Sequence, residues 1–189
     1  MDDPLIYTLM LIATLVVYCI IESRVGLKQA LVAAIVMTAV WLGLTLFIFG
    51  DIDWITGVEV ALLLGMALVS WKTQSALFFK FQPVVVGFVM AALTLGSHAM
   101  GKPIIVEMMV KYTPKLAPDN AHLLLNPVMI DLYTIYNFWA GIFFLVHALI
   151  LIWAALRLKS SKWAAIRIVG FYVLQFIALF ISFATVSGK

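Results

Sequence analysis

A chain of 189 residues that is 65% hydrophobic and only 11% charged, with a mean hydropathy of +1.14, has more apolar surface than a water-soluble fold can hide; soluble domains carry roughly 25% charged residues. The formal net charge of +3 comes from 12 basic and 9 acidic residues dispersed at the ends of apolar runs, which reads as membrane-flanking charge and excludes nucleic acid as a partner. Length leaves room for a single transmembrane helical domain over residues 1–189 and none for a second, globular one.

The opening Met1-Asp-Asp-Pro4 lacks the basic start of a secretory signal, so the first apolar run is expected to be retained. That run, Leu5 to Ile21, is short for a span of about 20 residues and fits a transmembrane helix, a re-entrant segment or a strongly interfacial one. Its Cys19 is the chain's single cysteine, which excludes an intrachain disulfide and suits a small packing residue. The second run, Gln29 to Gly50, is uncharged and closes on the acidic turn Asp51-Ile-Asp53. The third, Ile55 to Trp71, carries Glu59 one turn inside its start, near enough to the interface for its carboxylate to reach headgroups.

The fourth helix is expected over Phe81 to Ala99, with Pro83 in its first turn, where a missing N–H costs least. In the long connection that follows, Ile104/Ile105 and Met108/Met109 recur at helical spacing with Glu107 and Lys111 opposite. Pro103 to Tyr112 is therefore predicted as a short interfacial helix, its apolar pairs in the acyl boundary and its charged pair in water, ended by Pro114. Thr113 to Pro127 reads as a surface loop. The fifth helix, Leu132 to Leu156, and the sixth, Trp163 to Val186, flank the basic joint Arg157 to Lys162. Trp41, Trp54, Trp71, Trp153 and Trp163 fall near helix ends, as expected of rings at headgroup level, and Trp139 lies deeper. The expected fold is all-α: a polytopic membrane protein of six transmembrane helices, or five and one re-entrant segment, with a short interfacial helix.

Polar side chains at mid-membrane depth are candidates for function because an unpaired one is costly in hydrocarbon. Counted from Ser160, His147 lies 13 residues back and Gln175 lies 15 forward, about 3 Å apart in depth at 1.5 Å per residue. Asn137 and Ser182, at 23 and 22 residues, match as well. Both pairs are expected to hydrogen-bond across the hairpin as interhelical rungs, the alternative being a proton or ion relay. Together with Glu59 they are the candidate polar residues. His98 and His122 lie elsewhere, so no metal or haem site is expected. No His-Glu-x-x-His, Cys-x-x-Cys, Gly-x-Ser-x-Gly or phosphate-binding loop occurs. No catalytic residue and no cofactor is read.

Lys80-Phe-Gln-Pro83 opening a helix, Gly101-Lys102-Pro103 after it, Asn137 six residues before Phe143-Phe144, and Trp163-x-x-x-Arg167-x-x-Gly170 follow one another. In that order and spacing they resemble the bacterial inner-membrane YciB family, also called intracellular septation protein A, over roughly Ala30 to Val186. The chain departs from the family pattern at Ala140, where a tryptophan is expected, at Leu151, where an asparagine is expected, and in its acidic turn. The resemblance implies a non-enzymatic protein of the cell envelope, associated with division through contacts to other inner-membrane proteins. The partners so implied are membrane lipids, envelope or division proteins, and further copies of the chain. The competing reading is a small transporter or channel in which Glu59, His98, His147 and Gln175 line a path.

With six spans, one side holds Arg24, Lys28, Lys72, Lys80, Arg157, Lys159, Lys162 and Arg167, and the other holds Lys102, Lys111, Lys115 and Lys189. The positive-inside rule makes the richer side cytoplasmic and leaves both termini and the Gly101 to Pro127 connection outside. The resemblance implies the reverse. The charge count carries more weight for a chain whose Asp51–Asp53 turn replaces a basic loop.

Overall fold

The computed structural model describes residues 4–49 and 54–188; the side chains of 4–12, 54–56, 59, 115 and 116 are among those outside the description, as is the 51–53 turn. The described residues are predominantly helical, with no strand among them. In chain order the helices are α1 (Pro4–Arg24), α2 (Leu27–Phe49), α3 (Trp54–Thr73), α4 (Ala76–Ala99), α5 (Ile104–Leu116), a short α6 (Ala121–Leu124), α7 (Pro127–Arg157), α8 (Ser160–Ala165) and α9 (Phe171–Ser187). A π-helical turn, Ile166–Gly170, joins α8 to α9, and a 3-10 turn, Pro118–Asn120, precedes α6.

Four helices are long and apolar enough to cross a bilayer: α2 over Leu27–Leu44, α4, α7, and the continuous run Ser160–Ser187. Helices α4 and α7 extend past the boundaries expected from hydropathy because a charged residue, Lys80 or Asp131, lies inside each helix instead of ending it. α7 starts five residues before the expected Leu132, with Pro127 in its first turn and Asn126 as its cap, whose Oδ1 accepts from Met129 N–H at 2.9 Å. α4 starts at Ala76, which places Pro83 inside the helix instead of in its first turn. The lost bond to the Phe79 carbonyl is tolerable in a membrane helix, where neighbouring groups re-satisfy the backbone. α5 likewise runs through Pro114 to Leu116. Pro114 lies in the last turn, where a single intrahelical bond is lost and Ala117 N–H still returns to the Thr113 carbonyl at 2.8 Å. The expected loop beyond it contains the 3-10 turn and α6.

The chain divides into two compact units, Met1–Val84 with Leu151–Ile168, and Val85–Ile150 with Val169–Lys189. In the first, α1 and α2 form a tight hairpin. Its turn is closed by Val25 and Gly26 N–H groups on the Ile21 carbonyl, with Gly26 at φ +117, a left-handed conformation that glycine adopts without strain. The core gathers Leu15, Tyr18, Leu31, Phe79, Leu151 and Trp163 around small residues such as Ala30, Ala34 and Ala154. Tyr18 stacks on Phe79 with ring centroids 4.5 Å apart. Cys19 packs half-buried against this core. Trp163, expected at headgroup level, is instead among the fully buried side chains.

In the second unit, α4 and α7 approach closely at two glycines. A Cβ on Gly87 would lie 3.0 Å from Ala148 Cβ, and one on Gly141 only 2.6 Å from Thr94 Oγ1 and 2.7 Å from Leu95 Cγ. Small residues at such crossings let backbones draw together and gain dispersion contacts, which hold membrane helices where the hydrophobic effect does not.

Candidate functional site

Helix termini expose backbone groups that need partners, and where a terminus is buried within the protein water is not at hand to supply them. Four buried polar side chains of this chain, Ser70, Lys80, Ser97 and Asn137, are spent on that task. In the first unit, Ser75 Oγ accepts from Leu77 N–H at 3.3 Å, and Ser70, fully buried on α3, accepts from Phe79 N–H at 2.7 Å. Both N–H groups belong to the first turn of α4. At the other polarity, Lys80, 8% exposed, donates through Nζ to the Leu158 carbonyl at 3.1 Å, one residue past the end of α7. A cation there opposes the negative end of the helix dipole. The motif residue Lys80 thus ties α4 to the α7–α8 joint.

The second unit repeats the device around Asn137, which has no exposed surface. Its Nδ2 donates to the Thr94 carbonyl at 2.7 Å and its Oδ1 accepts from Ile105 N–H at 3.1 Å. Ser97 Oγ donates to the same Thr94 carbonyl at 2.9 Å and accepts from Ile104 N–H at 3.1 Å. Two side chains, from α4 and α7, therefore cap the start of α5. The Gly101-Lys102-Pro103 motif makes the joint compact: Gly101 sits at φ +71, Lys102 N–H returns to the Ser97 carbonyl at 2.9 Å, and Pro103 is the residue from which α5 departs. A helix exists where one was predicted, and its first turn is bound into the unit. Thr113 is buried, Ile104, Ile105 and Met109 are half-buried, and Met108, Glu107 and Lys111 are exposed. The capped first turn fixes the rotation of α5 within the unit.

The expected rungs of the hairpin are replaced. Gln175 Oε1 accepts from Tyr136 Oη–H at 2.9 Å, and His147 lies buried with its ring 5.8 Å from that of Phe171. Asn137 faces α4 and α5, and Ser182 donates to the Ala178 carbonyl of its own helix at 2.7 Å. Matching depth does not set the rotation of either helix about its axis. Tyr136 offers the donor, so Tyr136→Phe and Gln175→Leu are each expected to cost about 1 kcal/mol, and the double change less than their sum. Strict additivity in a double-mutant cycle in bicelles would show that this bond contributes nothing.

Of the other named residues, Phe144 lies 5.8 Å from Phe171 and Phe143 lies 6.3 Å from Trp139, centroid to centroid. Arg167 stands 5.7 Å over the Trp163 ring, and both Arg167 and Gly170 fall in the π turn. Glu59 lies in α3, but its side chain is outside the described residues. His98 packs 5.3 Å from Phe138 near the end of α4, and His122 is exposed on α6. Among the described residues, no three His, Cys, Asp or Glu side chains gather in a way that would hold a metal ion. Sequence reasoning does not single out Ser70, Thr94, Ser97, Tyr136 or Gly141. Serine, threonine and glycine are common in apolar helices, and only the partner across the contact distinguishes these. No family model, no curated protein and no solved structure matches the chain.

Proposed function

We propose that this protein is a non-enzymatic scaffold of the bacterial inner membrane that engages other membrane proteins of the cell envelope and of division. Six helices, α1, α2, α3, α4, α7 and the α8–α9 run, cross the bilayer in this reading. The observation that carries it is the use of buried polarity: Ser70, Lys80, Ser97 and Asn137 each satisfy the terminus of a neighbouring helix, which makes them fasteners and not reactive groups. The ordered motifs that resemble the YciB family supply the envelope and division context, and two of their residues, Lys80 and Asn137, have such fastening roles.

Crosslinking in native membranes followed by identification of the captured chains tests the reading. Envelope or division proteins are the expected catch, and recovery of the chain alone or with unrelated proteins would refute it. Cysteines placed at Val146, Ala148 and Leu174 test the competing transport reading: thiol reagents in water should leave them unmodified, and labelling of all three would mark a water path. For orientation, a reporter fused at Lys189 is expected outside and one after Ser160 inside. The reverse result would restore the orientation implied by the family resemblance.

A further inference from the structure

The first unit brings three joints of the chain to one end. The Tyr18–Phe79 stack sets the last turns of α1 beside the first of α4. The bond from Ser70 to Phe79 adds the end of α3, the Lys80–Leu158 bond adds the end of α7, and α8 packs on α1. Arg24, Lys28, Lys72, Arg157, Lys159 and Lys162 are all exposed on these joints, against the half-buried Glu22 as the acid beside them. Two tryptophans within a turn or so of the same end, Trp71 and Trp153, are 40% and 55% exposed. Exposed indoles at this depth mark the headgroup level, and the cations stand just beyond them.

We infer that this end of the first unit is a binding surface selective for anionic phospholipid headgroups over zwitterionic ones. Six exposed cations from three separate joints provide several contact points for phosphate oxygens, which a single flanking lysine would not. Lys80 holds the α4 and α7 joints together from below, so the cations of separate helices are kept on one surface. The inference rests on the membrane placement in the proposed function, yet is independent of the scaffold role, because lipid preference is read with no partner protein present.

The test uses the full chain in bilayers containing brominated phosphatidylglycerol or brominated phosphatidylcholine, with tryptophan quenching as the measure of relative lipid affinity. Phosphatidylglycerol is expected to be preferred by at least about fivefold, the equivalent of about 1 kcal/mol for a lysine near an anionic surface. The preference should shrink at high salt as screening lengths shorten. Combining Lys72→Gln, Lys159→Gln and Lys162→Gln should bring the ratio close to one, whereas Lys102→Gln with Lys111→Gln, in the other unit, should leave it unchanged. Melting in phosphatidylcholine bilayers, equal for all three proteins, verifies that the variants are folded. Equal quenching by both lipids, an unchanged ratio in the triple variant, or an equal loss in the control pair would overturn the inference. So would abolition of the preference by millimolar inorganic phosphate at constant ionic strength, which would assign the surface to free phosphate.

Discussion

Asn137→Leu is expected to destabilise the protein by about 2–4 kcal/mol, because it removes two hydrogen bonds made in apolar surroundings, at about 1–2 kcal/mol for each. The Thr94 carbonyl keeps the Ser97 hydroxyl, so the heavier loss falls on Ile105 N–H, whose acceptor is Asn137 Oδ1. Ser97→Ala should cost less, about 1 kcal/mol, since Ile104 N–H loses its acceptor while Asn137 still holds Thr94. Both changes should also loosen the start of α5, visible as faster amide exchange at Ile104 and Ile105 in bicelles. A loss below about 0.5 kcal/mol for Asn137→Leu would mean that α5 is not anchored through this side chain.

The second large effect comes from a methyl group. In an exposed helix, replacing glycine by alanine gains about 1 kcal/mol of helix propensity. At Gly141 the added Cβ would fall 2.6 Å from Thr94 Oγ1 and within 2.8 Å of two Leu95 carbons, one of them the branch point of that side chain. Those atoms cannot all withdraw without separating α4 from α7, so overpacking at about 1–3 kcal/mol outweighs the propensity gain. Gly141→Ala is thus expected to destabilise by about 1–2 kcal/mol net, and Gly141→Leu by more. Gly96→Ala is the matched control. It lies on α4 in the same unit with nothing within 4 Å of its built Cβ, so it should be neutral or stabilising. If the two alanine variants unfold at the same denaturant concentration, the close approach at Gly141 is not sustained.

Neither the partners of Asn137 nor the crowding at Gly141 is legible in the sequence, whereas the helices that carry them are. Uncharged runs of about 20 residues reveal those helices and their order, because no other single-chain element of that length satisfies its own backbone in lipid. Charge placement reveals the joints, and the short amphipathic pattern after Pro103 reveals α5. Candidate residues can be sorted by depth, because 1.5 Å per residue is a property of the helix itself.

What the tertiary structure alone decides is rotation and neighbourhood. The sequence marks Asn137 as a buried polar group of consequence, but its partners are Thr94 and Ile105, not Ser182. It marks Gln175 too, but the partner there is Tyr136 and not His147. Trp163 has the position of an interfacial residue and fills the core of the first unit. In each case the residue type and its depth are written in the sequence. The direction of its side chain is not, since rotation about a helix axis depends on which helices pack beside it, through small contacts such as those of Gly87 and Gly141. An apolar helix in an apolar solvent has no hydrophobic stripe to set that direction, and so polar partners and glycine contacts become visible only when the helices of the bundle are side by side.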